Sequence, residues 1–176
     1  MKHLIIILLF GLLNSTEFIG QTNYIELVQN GISIKTFKVK VGNEKFIKEP
    51  LFKYGIDSEK NGWTFIEDGK KIFFIWKKQN ETEISEIIIL TKSISVDSIS
   101  VGMTFNDFLK VNPNSKIELD VVNSEYEYSI SKNGNYTVEF ISDMNNKVGE
   151  YNEDFTVKRI LNKEAEINRI RISRNE

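Results

Sequence analysis

Residues 63–76 constrain this chain more than any other segment. Two runs rich in aromatic and β-branched residues, Trp63-Thr64-Phe65-Ile66 and Ile72-Phe73-Phe74-Ile75-Trp76, close on Asp68-Gly69. Asp-Gly readily takes the positive φ angles of a type I′ turn, whose twist matches that of paired antiparallel strands. A two-residue loop predicts Phe65 opposite Ile72 and Trp63 opposite Phe74. Trp63, Phe65, Ile72, Phe74 and Trp76 then share one face, with Thr64 and Lys71 on the other. Phe73 and Ile75 fall on the reverse side, so this strand is either covered on both faces or exposes apolar surface.

A second hairpin is predicted over 126–142, around Asn133-Gly134. A two-residue loop would set Tyr126, Tyr128 and Ile130 on the face opposite Tyr136, Val138 and Phe140, leaving each face half apolar. A three-residue loop, Asn133-Gly134-Asn135, pairs Ile130 with Val138 and Tyr128 with Phe140, and gathers Glu127, Ser129, Thr137 and Glu139 on a polar side. The longer loop is the expectation.

Residues 104–111 read as a helix. Thr104 is the N-cap, Asp107 a short-chain capping-box partner, Phe105, Phe108 and Leu109 share a face, and Asn112-Pro113 ends the segment. A weaker helix is predicted over 43–49, before Pro50. Val41-Gly42 and Val101-Gly102 precede the two helices, and the spacing Glu83-Ile84-x-x-Ile87-x-Ile89 recurs as Glu166-Ile167-x-x-Ile170-x-Ile172. These matches suggest internal halves at about 32–92 and 93–176. The expected fold is α+β: an antiparallel sheet with one or two short helices packed on one face, open to a reading as two tandem helix-plus-strands repeats.

Residues 1–20 carry Lys2 and His3, an apolar run from Leu4 to Leu13, then a polar stretch from Asn14. This is the pattern of a secretory signal peptide, whose apolar core is about 7 to 15 residues. It falls short of the roughly 20 apolar residues of a spanning helix. Cleavage is expected after Gly20, leaving 21–176 as a single domain, secreted or periplasmic, with no stable membrane anchor. The chain has no cysteine, and its one histidine, His3, leaves with the leader. Thiol nucleophiles, disulfides, the usual zinc sites and the common neutral-pH general base are thereby excluded. A net charge of -2 argues against a broad nucleic-acid surface.

Val101-Gly102-Met103-Thr104-Phe105-Asn106-Asp107-Phe108, closing at Asn112-Pro113, resembles the Gly-Met-Thr helix opening of β-lactamase-inhibitory-protein-like modules and of small outer-membrane assembly lipoproteins. The resemblance implies a short helix on an antiparallel sheet and binding to another protein rather than catalysis. The chain departs from the lipoprotein pattern in lacking the lipidated cysteine. Without the family, Gly102 relieves a strand-to-helix turn and Met103 packs in the core.

The loop 143–154 gathers Asp143, Asn145, Asn146, Glu150, Asn152, Glu153 and Asp154, a composition suited to calcium. Its spacing is wrong, with Lys147 and Val148 where the EF-hand pattern wants an oxygen ligand and a glycine, so a solvated loop and no metal is expected. Glu125, Glu127 and Glu139 are glycosidase candidates by residue type alone, and are read as surface residues. No phosphate-binding glycine loop or nucleophile elbow occurs, and no cofactor is expected. The aromatic strips remain. Phe65 and Phe74 are assigned to the core, and Trp63, Trp76, Tyr126 and Tyr128 are the candidate partner-binding residues. The sequence reading is a secreted or periplasmic non-enzymatic protein-binding module of inhibitor, immunity or envelope-accessory type. A carboxylate-based glycan hydrolase and a small-ligand carrier are the alternatives.

Overall fold

The computed structural model describes residues 21–121, 125–143 and 146–175. The expected leader, 1–20, and Asn145 of the acidic loop lie outside them. Three helices, α1 (Gln21–Gln29), α2 (Ile34–Val41) and α3 (Phe105–Val111), accompany strands β1 (Phe46–Pro50), β2 (Asn61–Glu67), β3 (Lys70–Trp76), β4 (Glu86–Ile89), β5 (Ser95–Val96), β6 (Ile99–Ser100), β7 (Glu118–Leu119), β8 (Tyr126–Ile130), β9 (Thr137–Ile141), β10 (Gly149–Tyr151), β11 (Val157–Ile160) and β12 (Arg169–Ser173). Eight strands form one antiparallel sheet in the order β1-β2-β3-β4-β12-β9-β8-β7, while β5-β6 and β10-β11 are separate hairpins. The fold is α+β.

The inner sheet face carries Phe65, Phe73, Ile75, Ile87, Ile89, Val138, Phe140, Ile170 and Ile172, buried with Val28 of α1, Ile34 and Phe37 of α2, and Phe105 and Phe108 of α3. Each such ring or branched chain contributes about 2–3 kcal/mol on burial. Phe65 and Phe73 stack across strands at 4.9 Å, and Phe105 meets Phe140 edge-on at 5.6 Å.

Thr104 caps α3, accepting from Asp107 N at 3.1 Å, and Asn112 closes it, as the sequence predicts. The segment 43–49 is not a helix. It is a short 3-10 turn (Asn43–Lys45) that runs into β1, where Phe46 packs against Phe37 and Phe65. The helix of this half is α2, capped by Ser33 through Thr36 N at 3.2 Å, with Ile34, Phe37 and Val41 on its core side.

The glycine that matches Gly102 is therefore Gly31, eleven residues before Gly42. Gly31-Ile32-Ser33 opens α2 as Gly102-Met103-Thr104 opens α3, with φ of 77° and 84° at the two glycines. Ser33 bridges Glu83 and Thr104 bridges Glu166, while Ile84 N donates to Ile32 O and Ile167 N to Met103 O, both at 2.9 Å. The two Ile-rich closing strands, β4 and β12, lie side by side at the centre of the sheet, Ile87 against Ile172 and Ile89 against Ile170. Val41-Gly42 takes no part in this correspondence: Gly42 is the C-cap of α2.

Both hairpin registers differ from expectation. Asp68 and Gly69 do form the two-residue turn, with φ of 48° and 73°. A bulge between Phe65 and Ile66 then adds one step, so Phe65 pairs with Phe73 and Trp63 with Ile75. A bulge reverses which face the later residues meet. Trp63 and Phe65 therefore lie on the inner face, whereas Phe74 and Trp76 lie on the outer one. In the second hairpin Ile130 pairs with Thr137 and Tyr128 with Glu139, and Ser131 N donates to Tyr136 O at 2.9 Å across the four-residue connection 132–135. Tyr126, Tyr128 and Ile130 thus stand on the face opposite Val138 and Phe140, the arrangement rejected for leaving each face half polar.

Candidate functional site

Buried polar clusters explain why the mixed faces are tolerated. On the inner side Glu127 is fully buried. Its oxygens accept from Val148 N and Gly149 N, each at 2.8 Å, and from the Tyr151 hydroxyl at 2.7 Å, so the carboxylate fastens the β10-β11 hairpin to the sheet. Burial and the adjacent Glu127 push the Tyr151 hydroxyl up. Its three donors supply the compensation that a buried charge requires.

The outer face divides into two halves. Over β2, β3 and β4 the chain covers itself: a 3-10 turn (Leu51–Tyr54) lays Leu51 and Tyr54 on Phe74 and Ile88, with Tyr54 stacked on Phe74 at 3.8 Å. Gly62 makes room, since a Cβ there would sit 2.2 Å from the Phe74 ring. Beneath the turn, Glu49 accepts from the Tyr54 hydroxyl at 2.6 Å, Thr64 at 2.5 Å and Lys71 at 2.8 Å. Burial pushes the Glu49 carboxyl up, but these hydrogen bonds outweigh it and hold it at about 2.

Where the two halves meet, two acids and two arginines interlock. Arg171 bonds Glu139 through Nε, Glu86 through a terminal nitrogen at 2.8 Å, and the carbonyl of Tyr54, tying the covering turn to the sheet. Burial opposes its charge most strongly, yet the Glu139 and Glu86 carboxylates hold the guanidinium above its ordinary pKa. Arg169, 4% exposed, contacts Glu139 and lies over the Tyr126 ring at 4.1 Å. That contact with Glu139 is poorly directed for a hydrogen bond, since Arg169 Nε and Glu139 Oε2 have no hydrogen-bond partner among the described residues. Trp76 donates its indole N–H to Glu86 at 2.8 Å. The charges balance within the cluster, the condition under which buried ions are tolerated and the loss of one partner becomes costly.

Beyond this seam lies the second half, with Tyr126 beside Ile141, Tyr128 between Glu139 and Glu118, and Ile130 beside Thr137. Ile130 is 50% and Ile141 38% exposed. The Tyr128 hydroxyl donates to Glu118 at 2.7 Å, which, with burial, pushes it up to about 12.

The four candidate residues are therefore not one site. Trp76, Tyr126 and Tyr128 share the outer face, whereas Trp63 stands on the inner side beneath Lys38, 5.8 Å from its ring centroid. The acidic candidates are also redistributed. Glu127 and Glu139, expected on one exposed hairpin face, are buried on opposite faces of the sheet. Sequence reasoning missed Glu49, Glu86, Arg169 and Arg171; the signal was present in Arg-Ile-Arg alternating on a strand whose isoleucines point inward. In the acidic loop, Glu150 binds Lys158 at 2.8 Å and Arg159 at 2.5 Å, and Asp154 binds Thr156. No metal-holding group of three acidic, histidine or cysteine residues forms among the described residues. Glu86 and Glu139 are joined by Arg171, which bonds Glu139 Oε1 and Glu86 Oε2. Two depressions of about 400 and 500 Å³ open on the surface. No described helix is long and apolar enough to cross a membrane.

No family model matches the chain, and no curated protein matches it. No enzymatic family is thereby indicated. A solved structure similar to it is that of the uncharacterized protein yfeY from Escherichia coli, at 13% identity and a TM-score of 0.48, covering 73% of this chain and 80% of that one.

Proposed function

We propose that the protein is an exported, non-enzymatic module that binds another protein through the open half of its outer sheet face. The observation that carries this reading is the contrast within that face. One half is sealed by the chain's own Leu51–Tyr54 turn, while the other presents Tyr126, Tyr128, Ile130 and Ile141 at half-exposed positions. Tyr and Trp anchors that are rigid before contact lose little entropy on binding. Here Tyr126 is held by Arg169, Tyr128 by Glu118 and Trp76 by Glu86. The leader-like first 20 residues and the mature chain's lack of imidazole and thiol fit a role in contact rather than turnover.

A photo-crosslinking side chain placed at Ile130 or Ile141 and expressed in the living cell tests this reading. A discrete adduct from both positions is expected, absent when the probe stands at exposed Lys92 and lost in Tyr126→Ala plus Tyr128→Ala. The same adducts from Lys92, or none from the outer face, would overturn it.

A further inference from the structure

Trp63, separated from the other aromatic candidates, borders a depression of about 500 Å³ between α2 and the sheet, lined also by Ser33, Ile34, Lys35, Lys38, Lys77 and Glu81. The volume lies within the roughly 300–1,000 Å³ of small-molecule sites. Its charge is unbalanced. Glu81 is the one acid in the lining; Ser85 donates to it at 2.9 Å, and it shares Arg174, 3.3 Å away, with Glu83 at 2.7 Å, so three lining lysines face one partly compensated carboxylate. Lys77 donates to the backbone oxygen of Glu81 at 2.5 Å, which leaves its charge uncompensated. Lys35 and Lys38 form no ion pair with any described residue, and neither does exposed Lys48, the cross-strand partner of Trp63. A chain of net charge -2 thus sets Lys35, Lys38 and Lys77 in the lining, with Lys48 on the neighbouring strand, near one half-buried indole, and none of the four is ion-paired with a described residue.

We propose that this depression binds an acidic saccharide, with the Trp63 indole against the C–H face of a pyranose ring and Lys35, Lys38 and Lys77 around its carboxylate or sulfate. An indole face offers a pyranose an apolar platform, and ammonium groups bind anions as movable point charges. Lys38 stands 5.3 Å from the Phe46 centroid as well as near Trp63, so the two rings hold one cation at the mouth without neutralising it. The half-buried indole between α2 and the sheet offers one flat apolar platform, which suits a single sugar ring. This site lies on the other side of the sheet from the proposed protein contact and stands independently of it.

The test is a fluorescence titration of the full chain carrying Trp76→Phe, so that Trp63 alone reports. Trigalacturonate and a heparin-derived trisaccharide distinguish carboxylate from sulfate, maltotriose is the neutral control, and phosphatidylglycerol vesicles probe the membrane alternative. A saturable change with at least one acidic oligosaccharide and none with maltotriose is expected. Replacing Lys35, Lys38 and Lys77 together by Gln should weaken it about tenfold, the sum expected of three exposed ion pairs, while circular dichroism stays unchanged. Equal response to maltotriose, undiminished binding in the triple variant, no response to either acidic sugar, or engagement of vesicles alone would overturn the proposal.

Discussion

The two halves of the outer face start from related topologies and end differently. In the first, residues 51–60 join β1 to β2, long enough to fold back so that Tyr54 stacks on Phe74 and hydrogen-bonds Glu49. In the second, the shorter link 120–125 joins β7 to β8, and Ile130 and Ile141 stay exposed. One half supplies its own partner from the connecting loop. The other leaves Tyr126 and Tyr128 only partly buried and Ile130 exposed. The difference teaches that a connecting segment can turn a sheet face into core, as Leu51 and Tyr54 do over Phe74 and Ile88.

That comparison breaks most decisively at the seam. Glu139→Ala leaves Arg169 and Arg171 buried without their shared carboxylate, and a loss of about 3–5 kcal/mol is expected in urea unfolding. A loss below about 1 kcal/mol would mean that the halves are not locked by charge. Gly62→Ala drives a methyl group into the Phe74 ring and the Ile75 carbonyl. A cost of about 3 kcal/mol is expected, from displacing the self-covered side, and an unchanged melting temperature would show that the covering turn is loosely held.

Acid should weaken the covered half selectively. The Glu49 carboxyl is depressed to about 2 from an ordinary 4.5. The ionised form is therefore favoured in the folded state, and its contribution is complete above about 4.5 and lost as pH falls toward 2. The stability of the wild type should drop by about 2 kcal/mol across that window, and Glu49→Gln should flatten this slope. At the alkaline end Tyr128, raised to about 12 by Glu118, keeps its proton in the folded state after it would be lost in the unfolded chain. Its contribution is present below about 10 and disappears as pH rises through 12. Spectrophotometric titration of Glu118→Gln should show one tyrosine returning toward about 10. The smallest effect belongs to the open half. Ile130→Ser should change stability by less than about 0.5 kcal/mol while abolishing the adduct from a probe at Ile141. A larger loss of stability would mean that Ile130 belongs to the core after all.

The local features that residues specify among near neighbours were legible before the structure. Thr104 with Asp107 marks a helix start, Asp68-Gly69 a tight turn, and the Glu-Ile-x-x-Ile-x-Ile spacing two related strands that came to lie together. Where the reading failed, the deciding contact was distant. The bulge after Phe65 is fixed by what each face of β3 must meet, namely Phe37 and Tyr24 on one side and Tyr54 on the other. The rejected register of the second hairpin is the stable one because Glu127 finds three donors some twenty residues away and Arg169 covers Tyr126. Alternation assigns faces on the assumption that polar means wet, and it fails where a buried carboxylate is fully bonded.

By itself, then, the sequence determined the Asp68-Gly69 turn, the α3 cap and the α+β class, because each rests on backbone preferences acting over a few residues. Only the tertiary structure decided which aromatic rings are core, which acids are buried and which half of the sheet stays open. Those outcomes depend on desolvation and pairing between groups far apart in the chain, such as Arg171 with the Tyr54 carbonyl, and no local pattern encodes them.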